Sequence, residues 1–231
     1  MANHFARVDK LWAANNDGAT LVAQGRYQEA FMLLRSAIDQ TATDPSKIVE
    51  EDITYDAFGG IGVVPLSAPR INCMVEGECV LHHDVFPLPF AIYPKHGVAM
   101  EDSTASLLAG TAVTLFNMAL SRHRQFFLSP LPALRRVFLD EARGLYQTIH
   151  EMLAHIPLDP DDPITQLYLV SCCNLIHVCA EYGAVDSVEY WKHELVEGFA
   201  CVSTEHPGGT FQFMQRVCAY CSISTVSAGA A

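Results

Sequence analysis

The sequence predicts a mainly α single domain: about seven helices in an irregular array of antiparallel pairs, interrupted after the first pair by a partly extended insertion. Three observations lead there. Apolar residues recur at three-and-four spacing in paired stretches broken by glycine. An asparagine followed two residues later by Gly18, Ala119 or Ile176 returns three times. Between the first and second pairs lies a block rich in proline, glycine and β-prone runs.

In the first pair, residues 3–44, Leu11, Ala14, Leu21 and Val22 mark one helix face and Tyr27, Ala30, Leu34, Ala37 and Ile38 a second. Gly25 between them suits the left-handed residue that ends a helix. Gly18 falls in mid-helix, where glycine costs about 1 kcal/mol relative to alanine, so a closely packed neighbour is expected to need the space.

The insertion, residues 46–104, opens on the acidic run "VEEDITYD". It then carries short β-prone runs at 61–64, 71–75, 79–81 and 90–93, with a hairpin expected about Glu76-Gly77. A structureless stretch of this length is unusual in a compact domain. The insertion is therefore expected to be partly extended, packed along the helices and occupying the groove between them.

The second pair, 105–156, carries Asn117, Ala119, Ala142, Tyr146 and Ile149. Here the echo of Ala30 comes eleven residues late, and "QFFLSPLPALRR" with its two prolines predicts a longer connection between the helices. The third pair, 161–203, starts in "PLDPDDP", where Asp161 or Asp162 caps a helix opening at Pro163. It continues through Asn174, Gly183, Val185, Val188 and Leu195. A final helix at 209–222 has Phe211, Met214, Val217, Cys218 and Cys221 on one face and is expected to cover the end of the array.

These copies resemble tetratricopeptide repeats, helix-turn-helix units of about 34 residues that stack into a superhelix. The resemblance rests on Asn16, Gly18, Leu21, Gly25, Tyr27, Ala30, Leu34 and Ala37 in the first copy and on the residues just named in the other two. The marker asparagines stand 101 and 57 residues apart, so the repeat is irregular. The chain as a whole is similar to algal-type helical-repeat proteins. The resemblance implies a concave groove lined by the first helix of each pair. It places Trp12, Asn15, Asn16, Ala19, Val22 and Ala23 there in the first copy, and Phe116, Asn117, Leu120, His123 and Arg124 in the second. The third copy gives Cys173, Asn174, His177, Ala180 and Glu181. The three asparagines would bridge helices or hold the main chain of a bound peptide. Binders of chaperone tails in that family clamp a terminal carboxylate with basic residues and asparagine; this chain has Asn15 and Ala19 at the start of that pattern and Glu181 later, so that activity is not expected.

Composition bounds the remaining possibilities. A net charge of -12, with no basic cluster longer than a pair, argues against nucleic acid and anionic membrane as partners. The charged start "MANHFARVDKLW" lacks the apolar core of a signal peptide, and a cytoplasmic protein with reduced thiols is expected. Half the residues are hydrophobic and 17% are charged, which leaves apolar surface for a partner.

Motifs that carry chemistry are weak. Cys218 and Cys221 form a CxxC late in an apolar helical pattern, whereas a redox dithiol needs a helix N-terminus. Cys73, Cys79, His82 and His83 are metal-ligand types within the insertion, but alternation puts Cys79 and His82 on opposite strand faces. Cys173 and His177 share a helix face without an orienting third residue. No nucleotide-binding glycine loop, hydrolase elbow or zinc-protease motif occurs. The expectation is a protein without cofactor or catalytic residues, an adaptor or scaffold subunit binding a protein or peptide in its groove. A metal- or small-molecule-binding regulatory protein, or a degenerate enzyme, built on the Cys/His-rich insertion is the alternative. Self-association as a homo-oligomer through apolar strands is a third reading.

Overall fold

A computed structural model describes residues 2–41, 58, 60–66, 85–95, 103–156 and 162–200. The described chain is mainly helical, with six helices and one two-stranded sheet. The helices are α1 (Ala2–Ala23), α2 (Tyr27–Thr41), α3 (Ser103–Leu128), α4 (Pro132–Leu153), α5 (Pro163–Glu181) and α6 (Val185–Ala200). The strands are β1 (Ile61–Pro65) and β2 (Phe90–Pro94). The helix expected at 209–222, the strands expected at 71–75 and 79–81 and the hairpin at Glu76-Gly77 lie outside the described residues.

Short loops make each of α1/α2, α3/α4 and α5/α6 a helical hairpin. Gly25 and Gly183, with φ of 78° and 67°, take the left-handed conformation where α1 and α5 end. The second loop corrects the expectation of a long connection: α3 runs to Leu128 and α4 starts at Pro132. Proline is at home in a first helical turn, where its missing N–H has no intrahelical partner to lose. The extra residues of this copy lengthen its helices. At α5, Asp162 accepts the Ile164 N–H at 2.8 Å, as the capping pattern requires.

Gly18 answers to its neighbour. A Cβ there would stand 2.4 Å from Leu34 Cδ2 and 2.6 Å from Leu34 Cγ, so α1 and α2 touch at a distance only glycine allows. Trp12 does the same work between α1 and α3, lying over Gly110 and donating its indole N–H to the Ser106 carbonyl at 3.2 Å.

The core is continuous. It runs from Leu11 and Leu34 through Phe116 and Leu120 to Tyr146, Leu167 and Leu195. Helix α3 packs against α1, α2, α4 and α5. By length and composition α3 and α5 could each cross a membrane, but their most apolar windows are 94% and 78% buried within the molecule, as central helices are.

Strands β1 and β2 pair antiparallel, from Ile61 opposite Pro94 to Pro65 opposite Phe90. Their partnership joins residues about thirty positions apart, not the ends of a tight hairpin. Strand β2 lies against α1 and α3, and β1 against α5. The first helices of the three hairpins therefore share one surface, and the insertion's extended segment lies across it.

Candidate polypeptide-binding groove

An extended strand exposes one N–H and one C=O on alternate edges at every second residue. A side chain that is to hold such an edge needs a donor and an acceptor side by side, and the primary amide of asparagine has that arrangement. Three of them meet residues 86–92. Asn16 on α1 accepts the Ile92 N–H at 2.9 Å and donates to the Ile92 carbonyl at 2.8 Å. Asn117 on α3 accepts the Phe90 N–H at 2.9 Å and donates to the Phe90 carbonyl at 2.8 Å. Asn174 on α5 accepts the Phe86 N–H at 2.8 Å. The segment thus crosses α5, α3 and α1 in that order, opposite to the order of the helices in the chain.

Each amide is oriented by a further partner. Asn117 gives its second N–H to Asn15 Oδ1 at 2.9 Å, and Asn15 in turn donates to the Phe90 carbonyl at 3.1 Å. Asn174 donates to the Tyr146 hydroxyl at 2.9 Å. Since a main-chain N–H only donates, each Oδ1 has to face the segment, and the amide orientations follow from the network. Arg124 adds a longer bond, 3.3 Å, to the Pro87 carbonyl.

The opposite edge of β2 belongs to β1. With Phe90 and Ile92 turned to the asparagines, alternation turns Ala91 and Tyr93 to their partners Val64 and Gly62. The pairing extends past the strands through Leu66 N–H to the Pro89 carbonyl and Lys95 N–H to the Gly60 carbonyl, each 2.8 Å. From Phe90 to Ile92 both edges of β2 are thus paired.

Within β2 the side chains alternate, with Phe90 and Ile92 buried and Tyr93 exposed; ahead of it Val85, Phe86 and Pro89 are buried and Pro87 is exposed. Phe86 stacks on Phe90 with ring centroids 5.4 Å apart. Phe90 meets Phe116 edge-on at 5.1 Å, and Phe116 leans on Tyr146 at 5.7 Å. Phe116, backed by Tyr146, is thus the helix surface on which the rings of Phe86 and Phe90 rest. Burial pushes the Tyr146 hydroxyl well above its ordinary value, so it stays protonated as the partner of Asn174.

At the α5 end, His123 Nε2 and His177 Nδ1 are 3.1 Å apart, both rings are buried, and Phe127 packs against each. One ring donates the single hydrogen between those nitrogens and the other accepts it. Glu181, exposed, stands 3.8 Å from His177 Nε2.

Of the residues expected in the groove, Asn15, Asn16, Phe116, Asn117, Arg124 and Asn174 converge on the segment. His123, His177 and Glu181 gather at one end. Trp12 sits between α1 and α3, and Val22 and Leu120 are buried in the core. Tyr146, on a second helix, was missed as a site residue; its signal was the place it shares with the apolar face of its helix. Cys73, Cys79, His82, His83, Cys218 and Cys221 lie outside the described residues. Among the described residues no group of three metal-ligand side chains comes together. Cys172, buried and with its thiol pushed up by that burial, has none of the character of a nucleophile.

Comparison with protein-family models, with characterised proteins and with solved structures returns no match to this chain.

Proposed function

We propose that this chain is a non-enzymatic protein-interaction module, an adaptor or scaffold subunit of tetratricopeptide-like build, that binds extended polypeptide on the surface shared by α1, α3 and α5. One observation carries the reading. Three helices from three separate hairpins each offer an asparagine amide to the main chain of an extended segment, two of them through both donor and acceptor. Main-chain recognition of this kind is indifferent to whether the strand comes from the same chain or another. Aromatic contact with Phe116 then supplies affinity, since buried aromatic contacts dominate binding energies.

Affinity capture from native extract tests it. The bait is the full chain carrying Phe90→Asp, which unseats the resident segment, beside the same chain with Asn16→Ala and Asn117→Ala added. Circular dichroism first establishes that both are equally helical. A protein retained by the first bait and lost with the second is the expected result. The same set with both baits, or none with either, overturns the reading.

A further inference from the structure

We infer that residues 85–94 stand in for the ligand. The partner, on this inference, supplies an extended segment running in the same direction, with large apolar residues where Phe86, Phe90 and Ile92 lie, paired on its outer edge with β1. This rests on the function proposed above and gives its ligand a sequence pattern and a register.

The resident segment itself provides the argument. Each of its three asparagine-held residues also buries its side chain, so at those positions an apolar side chain and an available N–H are required together. Spacing follows: anchors at i, i+4 and i+6. Between them Pro87 is exposed and Ala91 turns to β1, whereas Leu88 packs against the core and Pro89 is buried without an N–H to offer. The specificity is aromatic at the first two anchors, which enter the row formed by Phe116 and Tyr146. At the third, aliphatic Ile92 is held beside Asn16.

The ribbon is held in place by the helices, with Ile61, Val63, Phe86, Phe90 and Ile92 buried in the same core as the helix residues. A two-stranded sheet of five residues a strand is marginal by itself. Its place depends on the groove, and any segment that offers the same anchors competes for the same amides. A tethered segment acts at an effective concentration on the order of millimolar, so an untethered competitor meets a reduced apparent affinity until the resident one is displaced.

The test uses a fluorescein-labelled synthetic peptide with the sequence of residues 84–95, titrated by anisotropy against full-length protein. Wild type is expected to bind weakly, and Phe90→Asp about tenfold tighter or more, because its own segment no longer competes. Where Phe90→Asp lowers the helical signal, Phe90→Ala serves. A second peptide with the three apolar residues moved on by one position is expected to bind at least tenfold more weakly than the first (about 1.4 kcal/mol). In the unmodified protein, excess unlabelled peptide is expected to alter amide exchange at Phe90 and Ile92.

Equal binding of the two peptides overturns the register while leaving an extended-peptide groove in place. Binding that survives Asn16→Ala with Asn117→Ala places the peptide elsewhere and overturns both readings. A helical Phe90→Asp or Phe90→Ala protein that binds neither peptide does the same.

Discussion

Asn117 holds both main-chain groups of Phe90 through one amide, accepting the N–H at 2.9 Å and donating to the carbonyl at 2.8 Å, from a position 27 residues further along the chain. Its second N–H goes to Asn15 Oδ1. Its oxygen and both of its N–H donors are thereby engaged.

Replacing Asn117 by alanine leaves the Phe90 N–H buried without an acceptor, whereas the Phe90 carbonyl keeps Asn15. The expected loss is about 1–3 kcal/mol. Asn117→Asp is the sharper variant. It keeps the shape but sets a carboxylate oxygen against two acceptors, Phe90 O and Asn15 Oδ1, and costs about 3–5 kcal/mol at neutral pH. The fold favours the protonated carboxyl, so its pKa rises above the unfolded value of about 4. The penalty is then present at high pH and shrinks as pH falls through the raised pKa. Urea melts of both variants from pH 4 to 8 check this: only the aspartate variant should recover on acidification.

Gly18→Ala gains about 1 kcal/mol of helix propensity but drives a methyl into Leu34, with a net loss of about 1–2 kcal/mol expected. In a Leu34→Ala background the obstruction is gone, and the same substitution should stabilise. A double-mutant cycle by chemical denaturation reads the change of sign. A Gly18→Ala effect independent of residue 34 would remove this contact as the reason for the glycine.

Four tyrosines make the fold sensitive to alkali. Burial is the first cause that raises Tyr146, Tyr168, Tyr182 and Tyr190 above the ordinary 10, and Tyr182, also bonded to Asp140, reaches about 12. The folded state favours the neutral phenols. Their contribution is complete below pH 10 and is lost as pH rises through the folded values, from 10 to 12 and beyond. Urea midpoints should fall across pH 10–12 with a slope of more than one proton, while tyrosinate absorbance appears together with unfolding. Tyr146→Phe should flatten the slope and also release the Asn174 amide.

The helices were legible because their causes are local: spacing of apolar residues, Gly25 and Gly183 at helix ends, Asp162 before Pro163. The recurrence of Asn16, Asn117 and Asn174 was legible too, as was an extended insertion lying on the helices. The object held by those asparagines was not, since the bonds join residues up to 88 positions apart and leave no periodic trace. The same holds for His177. Along the helix its companion is Cys173, four residues away; in space its ring meets His123 from another hairpin. The α3–α4 connection was misread because proline marks loops and first turns alike, and only the packing of the helices distinguishes them.

Pro87, Pro89 and Pro94 stand among and beside the anchored residues, and none of them has an N–H to give. Slide the segment one residue so that Asn117 meets position 89, and its acceptor faces a nitrogen without hydrogen. Slide it the other way, and Asn174 meets Pro87. A two-residue slide that brings Ile92 to Asn117 brings Pro94 to Asn16. Three of the four nearest misalignments are thus blocked by a missing hydrogen, with no clash required. The prolines work as the wards of a lock, admitting the strand in one phase by what they lack.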